Sequence, residues 1–125
     1  MAEKIYHLAV DVTLKSISGK WKTAILCNLG TKPMRTGELK RQLPGISQRI
    51  LTKQLKELVE NDIICRKVYP QTPPQVEYSL TAHGKSLREI LLLMSKWGEK
   101  QVAKQNKQGK PTKILDHNLT GFEKM

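Results

Sequence analysis

At 125 residues the chain is long enough for one domain with a real core and short enough to gain from dimerisation. Lysine and arginine total 22 against 11 aspartates and glutamates, and the resulting charge of +11 favours a polyanionic partner, nucleic acid first and an acidic membrane surface second. Two cysteines without a CxxC spacing exclude a disulfide framework, and no apolar run approaches the ~20 residues of a membrane span or forms a secretory core, so a cytoplasmic protein with no membrane partner is expected.

In chain order, Val10, Leu14 and Ile17 recur at helical spacing and predict a first helix over 8–17, interrupted by Ser18-Gly19. A second helix is expected over 20–29, where Trp21, Ala24, Ile25 and Leu29 supply a buried stripe and Gly30 suits a left-handed C-cap. Cys27 falls in this apolar stretch and is expected to be a buried, inert thiol. Residues 31–33 read as a loop. Thr36 is placed to cap a short third helix over 36–43, with Glu38 in its first turn, and Pro44-Gly45 closes it.

The stretch that follows, 46–59, is the most informative in the chain. Ile50, Leu51, Leu55, Leu58 and Val59 mark one buried face, while Gln48, Arg49, Thr52, Lys53 and Lys56 fall on another with no acid before Glu57. Ser47 can cap this helix, and Ile46 and Leu51 stand at the spacing of a hydrophobic staple. Two helices joined by a Pro-Gly turn, the second basic on its free side, predict a helix-turn-helix.

Asn61-Asp62 ends the helical pattern. Residues 63–69 are rich in β-branched side chains, prolines punctuate 69–74, and Val76, Tyr78 and Leu80 alternate with polar residues, so two strands and a β-hairpin are expected. Cys65 on the first strand is also expected to be buried. Thr81 can cap a last long helix reaching about 103. Leu87, Ile90, Leu91, Met94 and Trp97 make one stripe, and Leu92 and Leu93 widen it beyond what one small core can cover. The excess apolar surface predicts a homodimer interface formed by Leu92, Leu93 and Trp97 with Val10 and Leu14 of the first helix. Residues 1–104 are thus read as one winged helix-turn-helix domain, mainly α with a small β-hairpin wing and dimerising through its terminal helices. The polar stretch 105–125, with Gly109 and Pro111, is read as a flexible tail in which Ile114, Leu115, Leu119 and Phe122 could dock. There are no internal repeats.

The residues go further than this outline. Gly19-Lys20-Trp21-Lys22, Leu43-Pro44-Gly45-Ile46-Ser47, Tyr69-Pro70 followed by Pro73-Pro74, Val76-Glu77-Tyr78 and Trp97-Gly98 closely resemble the HxlR family of bacterial transcription regulators, relatives of the MarR type. The resemblance covers about 8–99. It implies a homodimeric winged helix that binds inverted-repeat operator DNA as a repressor or an activator. Many members carry a Cys-Pro pair that senses oxidants or electrophiles; Leu8 and Ala9 occupy those places here, so that switch is missing.

In such a motif the start of the second helix meets base edges while flanking groups hold phosphates. Gln48 and Arg49 are the candidates for base reading, since glutamine pairs bidentately with adenine and arginine with guanine. Thr52 and Lys53 lie one turn on, and Lys56 deeper along the helix suits a backbone contact. Ser47 both caps the helix and can donate to a phosphate. Thr36, Arg41, Lys67, Gln71 and Thr72 would flank the groove. Lys20 and Lys22 bracket Trp21, but spacing alone does not assign either to DNA.

An enzyme is the first rival, yet His7, His83 and His117 are scattered and no nucleophile, phosphate-loop or metal-ligand constellation accompanies them. No catalytic residue, metal or cofactor is therefore expected. A winged helix serving protein or RNA contacts is the second rival, since fold alone does not fix the partner. An unidentified small-molecule effector is expected, if present, between the dimer helices and the DNA-binding lobe.

Overall fold

The computed structural model describes residues 2–115 and Phe122. Among these residues six helices and three strands follow the order α1 (Ala9–Ile17), α2 (Lys22–Leu29), β1 (Met34–Arg35), α3 (Thr36–Gln42), α4 (Gln48–Glu60), β2 (Ile64–Tyr69), β3 (Gln75–Leu80), α5 (Ala82–Lys85) and α6 (Leu87–Lys107). The predicted mainly α fold with a β-hairpin wing is the one observed.

The core forms where the apolar stripes of these elements meet. Ile25, Leu26 and Leu29 of α2, Leu39 of α3, and Leu51, Leu55 and Leu58 of α4 are buried together with Ile63, Ile64, Leu80 and Leu91. Ile46 and Leu51, the two ends of the expected staple, are both buried in the same core, as a staple at the entry of α4 requires. The Ser47 hydroxyl accepts from the Ile50 amide at 3.1 Å, which satisfies one of the orphan donors of the first turn.

The other end of α4 closes in a Schellman motif. The Ile63 amide donates to the Leu58 carbonyl and the Asp62 amide to that of Val59, both at 3.0 Å. Asp62 takes the left-handed conformation this requires, at φ 58°. The chain then enters β2, which pairs antiparallel with β3 from Ile64↔Leu80 to Tyr69↔Gln75. β3 lies at the centre of a three-stranded sheet of order β1-β3-β2. The edge strand β1 was not foreseen: two residues carry no period, and only the pairing of Met34 with Tyr78 and Arg35 with Glu77 defines it.

Three local expectations are corrected. Thr36 does not cap α3; Arg35 occupies the N-cap, and the Glu38 carboxylate reaches back to accept from its amide at 3.2 Å. Gly30 is right-handed at φ −64°, because its amide continues the helical pattern to Leu26 instead of reversing it. The long last helix is split at Ser86 into α5 and α6. The Thr81 hydroxyl accepts from the Gly84 amide at 2.9 Å, and Gly84 packs against the start of the wing. A Cβ at Gly84 would lie 2.0 Å from the Ile63 carbonyl oxygen, so this close approach requires glycine.

The boundary drawn at 104 falls inside α6, which continues to Lys107. Beyond it the Asn106 side chain exchanges two hydrogen bonds with the backbone of Thr112. Phe122 is fully buried in the core and its carbonyl accepts from Arg88 of α6. Leu119 and the rest of the expected tail from 116 onward lie outside the described residues.

Candidate nucleic-acid interface

The outward face of α4 follows from how its inward face is anchored. Burial of Leu51, Leu55 and Leu58 on one side leaves Gln48, Arg49, Thr52, Lys53 and Lys56 exposed on the other. The Gln48 amide nitrogen stands 3.4 Å from the Thr52 hydroxyl, a contact along the exposed surface at helical i,i+4 spacing. Glu57, the first acid of the helix, does not dilute this basic face. Its carboxylate turns toward α2 and pairs with Lys22 at 2.7 Å. The hydrogen bond from Lys22 is the main reason the Glu57 carboxyl is held below its ordinary range; burial opposes the shift, and the charges of Lys22, Lys53 and Lys15 add to it. Lys22 is only 6% exposed, so its ammonium is committed to the interior and is excluded as a DNA contact.

The turn ahead of α4 is shaped by Gly45, whose φ of 93° suits glycine, and the Ile46 amide closes it onto the Leu43 carbonyl at 3.1 Å. Thr36 is half-buried at the start of α3, whereas Arg41 is exposed near its end. Arg41 lines an open cleft with Arg35, Gly37 and Glu38. Arg35 was missed in the sequence because, without the edge strand, it reads as an ordinary loop cation.

On the wing, Lys67, Gln71 and Thr72 are exposed. Lys67 is not free to wander: its ammonium sits 4.9 Å from the centre of the Tyr69 ring, and the Tyr69 hydroxyl donates to Glu77 at 3.0 Å. This cross-strand chain orients one cation on the hairpin. Exposed cations thus stand on α3, α4 and the wing, as they do elsewhere on this basic chain.

The HxlR-like helix-turn-helix family matches residues 16–106. The chain belongs to that family. A protein of Fusobacterium mortiferum assigned provisionally as the regulatory protein MalR is 53% identical over 95 residues, covering 75% of this chain and 90% of the relative. YtcD, an uncharacterized HTH-type transcriptional regulator of Bacillus subtilis (strain 168), is 47% identical over 102 residues, covering 82% and 81%. The solved structure of the redox regulator HypR in its reduced form aligns with a TM-score of 0.71 at 45% identity, over 74% of this chain and 92% of that one. The family and these relatives are transcription regulators, and the chain is read as one of them and not as an enzyme.

Two further expectations for this HxlR-family chain need revision. Cys65 is exposed, because strand alternation turns Ile64 inward and sends Cys65 to the other face, where its thiol lies 3.1 Å from the Ser79 hydroxyl. Cys27 is half-buried. Among the proposed interface residues Val10, Leu14, Leu93 and Trp97 are exposed, but Leu92 packs in part against the chain's own core. His7 and His83 are exposed, and His117 lies outside the described residues. No helix among the described residues is long and apolar enough to cross a membrane. A cleft of about 250 Å³ lies between α1 and α6, with Val12, Leu87 and Ile90 in its lining.

Proposed function

We propose that the chain is a cytoplasmic regulator that binds an inverted-repeat operator in double-stranded DNA as a homodimer. In this reading α4 lies in the major groove and the β2–β3 hairpin follows the flanking backbone or minor groove. The observation that carries it is the division of α4: five uncharged-polar or basic side chains project outward, while Glu57 is drawn inside by Lys22. Gln48 and Arg49 at the start of the helix read bases, Thr52 and Lys53 extend the contact by one turn, and Lys56, Arg41, Thr36 and the Ser47 cap hold phosphates. Lys67, Gln71 and Thr72 supply the wing contacts.

Dimerisation is supported by apolar surface with nothing among the described residues to cover it. Leu93 and Trp97 of α6 are 61% and 67% exposed, and Val10 of α1 is 55% exposed. α1 and α6 adjoin, since Val12 and Ile90 line one cleft. Two copies joined there would present their α4 helices about 34–36 Å apart, one turn of duplex.

Arg49→Ala tests the assignment of roles. Binding measured on a set of single-base operator variants is expected to lose discrimination at one position in each half-site, by ~1–3 kcal/mol. An equal loss on every sequence would make Arg49 a phosphate clamp and leave base reading to Gln48.

A further inference from the structure

The two lysines that bracket Trp21 are identical by sequence spacing and opposite in the structure. Lys22 is buried against Glu57, whereas Lys20 is exposed and its ammonium stands 4.8 Å from the centre of the Trp21 ring. Trp21 in turn packs against the core and reaches the bend of the helix-turn-helix: a Cβ at Gly45 would lie 4.0 Å from its Cη2 atom. Gly45 is two residues ahead of Ser47, the cap of α4. The indole therefore lies between the Lys20 ammonium and the turn that leads into α4.

We propose that Lys20, held on the Trp21 ring, is a DNA-backbone contact that extends the binding surface beyond α3, α4 and the wing onto the α1–α2 junction. The proposal rests on the reading of α4 as the DNA-recognition helix and names a contact which that reading does not contain. The physical case is one of preorganisation. A free lysine loses rotamer entropy when it grips a phosphate, but a cation already resting on an aromatic face has part of that ordering done. The ring does not neutralise the charge, whereas Glu57 does neutralise Lys22. Of the two cations, Lys20 is the one left to meet a polyanion. A phosphate contact of this kind fixes register and carries no base information.

The test is a salt titration of Lys20→Gln, Lys20→Arg and the wild type on two duplexes, one enriched from a random pool by the wild type and one of mixed sequence. Lys113→Gln, an exposed lysine beyond α6, controls for the loss of one charge. Lys20→Gln is expected to make the log–log salt dependence shallower by about 0.9 for each protomer bound, with the same fold-loss on both duplexes. Lys20→Arg and Lys113→Gln are expected to keep the wild-type slope. A wild-type slope for Lys20→Gln, or a loss confined to one base position, would overturn this contact while leaving α4 as the reader. Failure of the wild type itself to bind either duplex would overturn both.

Discussion

Glu57→Leu is expected to destabilise the fold by ~3 kcal/mol, read from urea unfolding near neutral pH. The substitution leaves the Lys22 ammonium, 7% exposed, without the carboxylate that stands 2.7 Å away. Removing one partner of a buried ion pair costs about 3–5 kcal/mol, because an uncompensated charge remains in the interior. The low end applies here since the Glu57 side chain is 36% exposed and water reaches that side of the pair. The double variant Lys22→Met/Glu57→Leu removes both charges and is expected to recover most of the loss. Acid should reproduce the effect in the wild type. The folded-state carboxyl of Glu57 titrates below its ordinary value of 4.5, so its contribution is full above that pH and is lost as pH falls through the lowered value. The gap between wild type and Glu57→Leu should narrow in acid; a gap independent of pH would show that Glu57 acts through packing alone.

Leu93→Asp combined with Trp97→Asp is expected to give monomers in sedimentation at concentrations where the wild type is expected to sediment as the proposed dimer. The two residues lie one turn apart on α6 and are its most exposed large apolar side chains. Losing their burial costs roughly 1.5–3 kcal/mol each, and placing carboxylates in a desolvated surface adds to this. A combined loss of about 4 kcal/mol is a thousandfold in dissociation constant. Leu92 is left in place because it packs in part against its own chain, so the monomer should keep its fold. Sedimentation of the double variant as an intact dimer would remove α6 from the interface.

The legible parts of this fold were the ones with a period. The stripe of Leu51, Leu55 and Leu58 and the cap at Ser47 located α4 to within two residues, and the alternation in 76–80 located β3. What escaped depended on partners distant in sequence. β1 is a strand only because β3 passes beside it. The tight contact between Gly84 and Ile63, just ahead of the break at Ser86, is announced by no local pattern in either segment. The exposure of Cys65 followed from its register within β2, where the two isoleucines ahead of it concealed that it belongs to the outer face.

The candidate interface was legible in much the same measure. The outward set on α4 was read correctly as exposed because the helical period separates faces by arithmetic. The fates of Lys20 and Lys22 were not, since two residues on either side of Trp21 differ only in which of them meets Glu57. Arg35 waited on the discovery of β1. Docking of Phe122 was expected but not its place, because Arg88, which holds its carbonyl, stands 34 positions away in the sequence.

The most direct measurement is a titration of the wild-type protein, across salt, against a duplex enriched from a random pool, a mixed-sequence duplex and an RNA of equal length. The enriched duplex should contain two inverted half-sites about one helical turn apart, bind at least ~10³-fold tighter than mixed sequence, and weaken steeply as salt rises. Enrichment of no common sequence, or tighter binding to the RNA, would contradict the assignment of α4 as a reader of operator DNA.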